Sequence, residues 1–170
     1  MGVVRFIKGI AEFAGSRRRS EIIGEAGGIL FMDDYAHHPS AIKTTLAGYR
    51  EFFPGRRLVV DFMSHTYTRT GALFDEFVSA FNDADVLILH KIYSSAREKA
   101  EAQRVTGKSL YEAIASFKNN VHYFEEPEEA LDFCRKELLK KGDLFLSMGA
   151  GNNWQLCHSL YNKINEEPLA

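Results

Sequence analysis

The sequence predicts an α/β fold of the Rossmann-like kind, built as a mostly parallel sheet of about six strands with helices on both faces. Apolar runs of strand length alternate with longer segments that carry apolar residues at helical spacing, a pattern typical of parallel sheets. Two early runs, joined only by Ala26-Gly27, predict a hairpin and therefore one antiparallel strand. The length of 170 residues fits a single domain over residues 1–170.

The first half of the chain alternates helix and strand in the order expected for such a fold. Each predicted helix carries apolar residues on one face, and each predicted strand is a short apolar run. Pro54-Gly55 is a stop signal that ends the second helix. The predicted elements are a helix over 3–13, strands over 21–25 and 28–32, a helix over 40–53, a strand over 57–62, a helix over 73–81 and a strand over 86–90.

The second half continues this alternation. The stretch from Ser109 to Glu112 opens a helix with the pattern of a capping box. The segment over 127–140 has acids first and lysines last, which suits the dipole of a helix. Strands over 121–124 and 144–148 and a helix over 152–164 complete the fold, and residues 91–108 are predicted to form an irregular surface excursion.

The composition is that of an ordinary globular domain, with 45% apolar and 26% charged residues. A net charge of −2 gives no support to a role in binding nucleic acid or a membrane. Cys134 and Cys157 form no spacing motif, which favours a reducing compartment, and no signal peptide or spanning segment stands out. We therefore predict a cytoplasmic protein.

Three polar loops follow predicted strands. The first loop is Asp33–Pro39, the second is Met63–Thr70 and the third is Gly149–Asn153. Because parallel strands end at one edge of the sheet, these loops are expected to face one cleft. Their carboxylates, imidazoles, guanidinium and glycine turn suit a ligand that carries an amine and a carboxylate, with a polyol or phosphate nearby. Arg69 is suited to grip a carboxylate through two hydrogen bonds, and the imidazoles are suited to accept from an ammonium group.

Several of these residues have a simpler interpretation. His37 and His38 beside two aspartates have no established metal spacing, so no metal site is predicted. Asp33 is open to a second interpretation as the cap of the following helix or of its turn. The run Arg17 to Arg19, taken alone, is a solvated basic patch.

One tripeptide, Gly107-Lys108-Ser109, is similar to the end of a phosphate-binding P-loop. The earlier glycine of that motif is replaced by Ala102, and no predicted strand leads directly into the tripeptide. Helix capping is therefore the favoured interpretation, and the chain is expected to lack a P-loop.

Several motifs together resemble the carboxy-terminal domain of the Mur ligases, and in particular its alanine-adding members. They occur in order along nearly the whole chain, beginning with an entry segment of the same kind. The motifs are Phe13-Ala14-Gly15-Ser16-Arg17-Arg18-Arg19, the Asp-Asp-Tyr-Ala-His-His-Pro run over 33–39, His65-x-Tyr67-Thr68-Arg69-Thr70, Ala96-Arg97-Glu98-Lys99 and Met148-Gly149-Ala150-Gly151.

The resemblance implies part of an ATP-dependent ligase of peptidoglycan precursor synthesis. Such an enzyme joins L-alanine to UDP-N-acetylmuramate through an acyl phosphate, and releases ADP and phosphate. In the family, a first domain holds the UDP-sugar, and a central domain holds the ATP phosphates and most of the contacts to Mg²⁺. Only the last domain corresponds to this chain, so the chain alone is predicted to be inactive. Two alternatives remain, a related ligase that recycles a whole peptide and a stand-alone binding module without catalysis.

The resemblance also assigns roles to individual residues. The implied contacts to L-alanine are Tyr35, His37, His65 and Arg69; the implied contacts to ATP are Asp34 at the ribose and Arg19 at the phosphates; and His65 and Arg19 are the implied catalytic residues. Several positions depart from the family pattern, among them Met63 and Ser64, which stand where the family usually carries Gln-Pro. Thr66 stands where the family usually carries an arginine, Asn152 where it carries an acid, and Ser20 where it carries an aromatic residue. The preference for L-alanine is therefore left open.

Overall fold

A computed structural model of the chain describes residues 16–94, 98 and 105–167. The helix predicted over 3–13 lies outside the described residues. Six strands and six α-helices are described, in an order close to the one predicted. The strands are β1 (Glu21–Ala26), β2 (Ile29–Asp34), β3 (Arg57–Met63), β4 (Val86–Leu89), β5 (Val121–Tyr123) and β6 (Asp143–Gly149). The helices are α1 (Pro39–Phe52), α2 (Tyr67–Ala72), α3 (Phe74–Val78), α4 (Gly107–Ala115), α5 (Leu131–Phe133) and α6 (Trp154–Glu166).

All six strands form one sheet in the order β1-β2-β6-β3-β4-β5. Every neighbouring pair is parallel except β1 and β2, which form the predicted antiparallel hairpin. Gly27 and Gly28 connect these two strands with φ angles of 59° and 76°. A tight hairpin turn of this hand needs positive φ at both central residues, which glycine adopts without strain. The predicted fold class is confirmed.

Alternate side chains of the central strands enter two separate cores, one on each face of the sheet. Leu144 and Leu146 of β6 join the core beneath α1, α3 and α4, whereas Phe145 between them joins the core beneath α6. Because successive side chains of a strand point to opposite faces, a strand that is buried on both sides must be apolar throughout. This explains why the sequence has continuous apolar runs and not an alternation of apolar and polar residues.

The structure corrects several predicted elements. The helix predicted over 73–81 is shorter, because α3 begins at Phe74 and ends at Val78. The second loop contains helix α2, whose residues are poor helix formers and which is stabilised by its surroundings: Thr66 caps it and Glu98 accepts from the Thr68 amide at 2.9 Å. The helix predicted over 127–140 is a 3₁₀ turn (Pro127–Ala130), then α5, then a π-helical turn (Cys134–Leu138). It ends at Leu138 because Leu139 turns to extended backbone and buries its side chain.

The position of the capping box of α4 is a further correction. It lies one turn before the predicted position, since Thr106 and Ser109 each accept a hydrogen bond from the other's backbone amide. The predicted pair, Ser109 and Glu112, falls inside the helix instead. Gly107 passes so close to β4 that a Cβ atom there would lie 2.1 Å from the His90 carbonyl oxygen. These contacts give Gly107-Lys108-Ser109 a structural role at the start of a helix.

The chain is expected to fold on its own with a cooperative thermal transition. Two complete cores cover both faces of the sheet, and a domain of this size buries roughly 70% of the surface that its unfolded chain exposes. Circular dichroism in the far and near ultraviolet should therefore lose helical signal and aromatic signal together on heating. A spectrum typical of a disordered chain, with no transition, would contradict this expectation.

Candidate active site

The three loops meet at the carboxyl edge of the sheet, as predicted. Strand β6 lies between β2 and β3, so the third loop emerges between the other two. Gly149 has a φ angle of 119°, and a Cβ atom there would lie 2.3 Å from the carbonyl oxygen of Met63. Only glycine allows the end of β6 to pass this close to the end of β3. The glycine turn therefore serves the close contact between these two strands.

Four aromatic side chains form a row across this edge, which we call the ring row: Tyr35, His37, His65 and Tyr93. Tyr35 and His37 lie 5.0 Å apart between ring centroids, and His37 meets the His65 ring edge to face at 6.4 Å. Tyr93 stacks on His65 with centroids 5.9 Å apart and an interplanar angle of 22°. The row joins the first and second loops, and it brings three of the predicted substrate residues together.

His65 and Arg69 form the polar end of the second loop. Burial, and then the positive charge of Arg69 and the neighbouring His37, lower the pKa of His65 below its ordinary value of 6.5. The imidazole is therefore neutral at neutral pH. The Nη1 atom of Arg69 is buried, and no group in the described residues accepts a hydrogen bond from it. A buried guanidinium nitrogen without an acceptor is costly, and an anion placed beside it would satisfy it.

A cleft of about 470 Å³ lies against the first loop, where Tyr35 of the ring row also lines it, and we call it the first-loop cleft. Asp34 and Arg19, the two predicted nucleotide contacts, both line it together with His37. Asp34 is buried and shapes the loop, because its Oδ2 accepts from the Ser20 amide at 2.7 Å and its Oδ1 accepts from the Ala36 amide at 2.8 Å. The cleft thus combines a fixed carboxylate with an exposed cation.

Arg18 is a site residue that the sequence analysis missed. Its Nε donates to the Asp33 carboxylate at 2.8 Å, its Nη2 donates to the Gly149 carbonyl at 2.7 Å, and its guanidinium lies 5.2 Å from the centre of the Tyr35 ring. It therefore ties the first loop to the third and supports the ring row. In the sequence, three adjacent arginines look alike. The φ angle of 55° at Arg18 turns its side chain inward, and the sequence contains no signal for this backbone angle.

The ion pair with Arg18 also corrects the second interpretation of Asp33. The cap of α1 is His38, whose Nδ1 accepts from the Ser40 amide at 3.4 Å. Asp33 is 2% exposed and holds Arg18 instead of a helix terminus.

A buried polar network lies directly beneath the site, and the sequence analysis missed it as well. The Nε2 of His90 donates to Asp61 Oδ1 at 2.6 Å, and its Nδ1 lies 3.0 Å from the carbonyl oxygen of Phe124. Asn153 donates to the other oxygen of Asp61 at 3.0 Å. Because both imidazole nitrogens face acceptors, this geometry favours the doubly protonated, positively charged form of His90. The sequence signal for this network was Asp61, a charged residue inside the apolar run of β3. A buried charge of this kind needs a partner.

We searched the described residues for a metal site and for a membrane-spanning helix. They contain no group of three or more histidine, cysteine or acidic side chains arranged to hold a metal ion. Within the same part of the chain, no helix has the length and apolar character needed to cross a membrane.

Comparison with known proteins identifies the family. Residues 18–151, well over half of the chain, match the family model described as Mur ligase, glutamate ligase domain. The chain belongs to the Mur ligase family. The matched region begins at Arg18 and ends at Gly151, so it contains the first and second loops of the site and the glycine turn of the third.

The relatives of this Mur ligase domain are longer proteins. The UDP-N-acetylmuramate–L-alanine ligase of Treponema pallidum is 54% identical over 160 residues, which cover 94% of this chain and 33% of the relative. The chain thus spans about a third of the length of the curated relatives it matches.

Solved structures agree on the fold. The UDP-N-acetylmuramate–alanine ligase of Thermotoga maritima superposes with a TM-score of 0.73 at 21% identity, covering 98% of this chain and 34% of that one. The MurF ligase of Thermotoga maritima, solved in complex with ADP, has a TM-score of 0.57 at 18% identity and covers 98% of this chain and 36% of that one.

Proposed function

We propose that this Mur ligase domain binds L-alanine and closes over ATP in a UDP-N-acetylmuramate–L-alanine ligase. The parent enzyme would form an amide bond between L-alanine and UDP-N-acetylmuramate in the cytoplasmic synthesis of peptidoglycan precursors. Identity of 54% to a ligase of that name supports this choice of substrates. The observation that carries the proposal is the buried nitrogen of Arg69, which has no acceptor among the described residues, beside the neutral imidazole of His65.

The amino acid is expected to lie between Arg69 and the ring row. Its carboxylate would accept a hydrogen bond from the buried Nη1 of Arg69, which replaces an unsatisfied donor with a charge-assisted pair. Its ammonium group would face the imidazoles of His65 and His37, with Tyr35 closing the end of the row. The guanidinium of Arg69 lies at one end of this site and the Tyr35 ring at the other. Such a site suits an amino acid with a small side chain.

His65 is suited to take a proton from the incoming amine. An ammonium group cannot attack a carbonyl carbon until it loses a proton, and a neutral imidazole can accept that proton. The lowered pKa of His65 keeps it neutral, and therefore receptive, near neutral pH. The freed amine would then attack the acyl phosphate carbon and expel phosphate, as the resemblance to the family implies.

The nucleotide is assigned to the first-loop cleft. Asp34 offers an oriented carboxylate for the ribose hydroxyls, and Arg19 offers a cation for the phosphates, with catalytic effect if it contacts the phosphate being transferred. A solved relative, the MurF ligase of Thermotoga maritima, is in complex with ADP, which supports the proposal that this domain binds a nucleotide. Mg²⁺ is assigned mainly to the central domain of the parent, as the resemblance to the family implies.

Replacing Arg69 with alanine in a full-length ligase that carries this domain tests the amino-acid site. Loss of one hydrogen bond between charged groups should weaken binding by about 1.5–3 kcal/mol, or about tenfold to a hundredfold. The KM for L-alanine should rise by that factor while the KM for ATP stays nearly constant. His65→Ala should lower kcat as well, because it removes the proton acceptor.

Arg50 offers a matched control for this measurement. It pairs with Asp85 at the surface and away from the three loops, and such pairs contribute less than about 1 kcal/mol. Arg50→Ala should therefore leave both KM values unchanged. An unchanged KM for L-alanine in Arg69→Ala would contradict the assignment. A panel of amino acids and murein peptides separates L-alanine from a peptide substrate, and activity with none of them would favour the non-catalytic module.

A further inference from the structure

Tyr93 extends the pairing of β3 and β4 beyond the end of the sheet. Its amide donates to the Ser64 carbonyl at 2.8 Å, and its carbonyl accepts from the Thr66 amide at 3.0 Å. These two hydrogen bonds flank His65 and form an isolated parallel bridge between His65 and Tyr93. The segment after β4 is therefore a structural wall of the second loop.

The side chain of Tyr93 reinforces this backbone contact. Its ring stacks on the His65 imidazole, and the His37 ring meets His65 edge to face. None of the described residues forms a hydrogen bond to the His65 ring nitrogens, and within this part of the chain the ring contacts orient the imidazole. Of the two contacts, only the one with Tyr93 is nearly parallel, at 22°. A parallel stack restricts rotation of both rings.

The backbone next to His65 is strained, and Tyr93 holds it. Thr66 has a φ angle of 69°, a left-handed conformation that is unfavourable for a β-branched residue. Its amide is the group that donates to Tyr93. Thr66 is also the N-cap of α2, which carries Arg69. One residue therefore fixes both the histidine and the start of the helix that presents the arginine.

We propose that Tyr93 is a positioning residue, which orients the His65 imidazole toward the amino-acid site through its ring stack and its two backbone hydrogen bonds. The catalytic meaning of this contact rests on the function proposed above for His65. The contact itself is independent of that function, because it can be measured in the 170-residue chain without substrate.

Nuclear magnetic resonance of the labelled chain tests the contact. Cross-relaxation between the ring protons of His65 and Tyr93 is expected in the unsubstituted chain, and its absence would overturn the proposal. In Tyr93→Leu, the His65 ring protons should lose the shielding of the stacked ring and move downfield. The pKa of His65 should also rise toward 6.5, because burial is the largest cause of its lowering. Tyr93→Phe keeps the ring and should leave both quantities unchanged.

His122 provides an internal control in every spectrum. It lies on β5 and packs against Phe133, away from the three loops. Its resonances should stay in place in both Tyr93 variants, which verifies that the variants are folded. Unchanged His65 shifts and an unchanged His65 titration in a folded Tyr93→Leu chain would overturn the proposal.

A kinetic comparison in the full-length ligase separates the positioning role of Tyr93 from the proposed catalytic role of His65. Tyr93→Leu should shift the pH profile of kcat for amide formation to higher pH, in step with His65, whereas Tyr93→Phe should not. A profile that stays in place while His65→Ala is impaired would overturn the positioning role. A full-length ligase in which His65→Ala is fully active would overturn the proposed role of His65 and leave the measured ring contact intact.

Discussion

Replacing His90 with leucine is expected to lower the free energy of unfolding by about 3–5 kcal/mol, the cost of breaking a buried ion pair from one side. His90 and Asp61 are both shielded from water, and the pair joins β3 to the end of β4. Removing the imidazolium leaves the Asp61 carboxylate buried without its counter-charge. Chemical denaturation of the two chains at pH 6 measures the difference.

The same pair predicts how stability depends on pH. Burial alone would lower the pKa of His90, but the Asp61 carboxylate and the Phe124 carbonyl outweigh it and raise the pKa above 6.5. A group whose pKa is higher in the folded state contributes its full stability below the unfolded value and loses it as pH rises through the folded value. The chain should therefore lose this contribution as the pH rises above about 6.5, and His90→Leu should lack that part of the pH dependence.

The double variant Asp61→Leu/His90→Leu is the matched control. Replacing both members of a buried pair with apolar groups of similar volume is often nearly neutral, so the double variant should be more stable than His90→Leu alone. Equal or greater loss in the double variant would show that cavity or packing effects, and not the unpaired charge, account for the result.

The isolated 170-residue chain is expected to release no phosphate from ATP and to form no amide bond, which is the largest functional effect we predict. Cleavage of the γ-phosphate needs backbone amides and a lysine that cradle the phosphates. The sequence contains no complete P-loop motif, and its Gly107-Lys108-Ser109 begins α4 with a capping box and a close contact to His90. Phosphate release by the purified chain should equal that of a heat-inactivated sample.

A full-length ligase carrying the same domain is the positive control for that assay. It should release phosphate only when both UDP-N-acetylmuramate and the amino acid are present. Phosphate release by the isolated chain above the heat-inactivated sample, and abolished by Lys108→Ala, would contradict the expectation and return the tripeptide to consideration as a phosphate-binding element.

The fold could be predicted from the sequence because its signals are local. Apolar runs bounded by turns located all six strands to within one or two residues, and the glycine at the hairpin located the antiparallel pair. Helix α2 could not be predicted in this way, since its stability comes from Thr66 and Glu98 and not from the propensity of its residues. Tertiary contacts outweigh weak local preferences of this kind.

The site was predictable only in part, for a related reason. The loops that end parallel strands meet wherever the sheet order brings those strands together, so their grouping followed from the fold class. The fold class did not predict contacts that depend on the direction in which a side chain points. The inward turn of Arg18 depends on one backbone angle, and the stack of Tyr93 on His65 depends on pairing beyond the end of two strands. The roles of Tyr35, His37, His65, Arg69, Asp34 and Arg19 stay predictions until ligand is bound.

The central place of β6 in the sheet has a consequence for how the chain is made. Strands β2 and β3 do not pair with each other; each pairs with β6, which ends at Gly149. While a ribosome synthesises residues in order, the sheet stays divided into a β1–β2 half and a β3–β4–β5 half until β6 emerges. The apolar edges of both halves are open during that interval, when they are most prone to mispairing with other chains. The two halves can therefore join into one sheet only after β6 has left the ribosome.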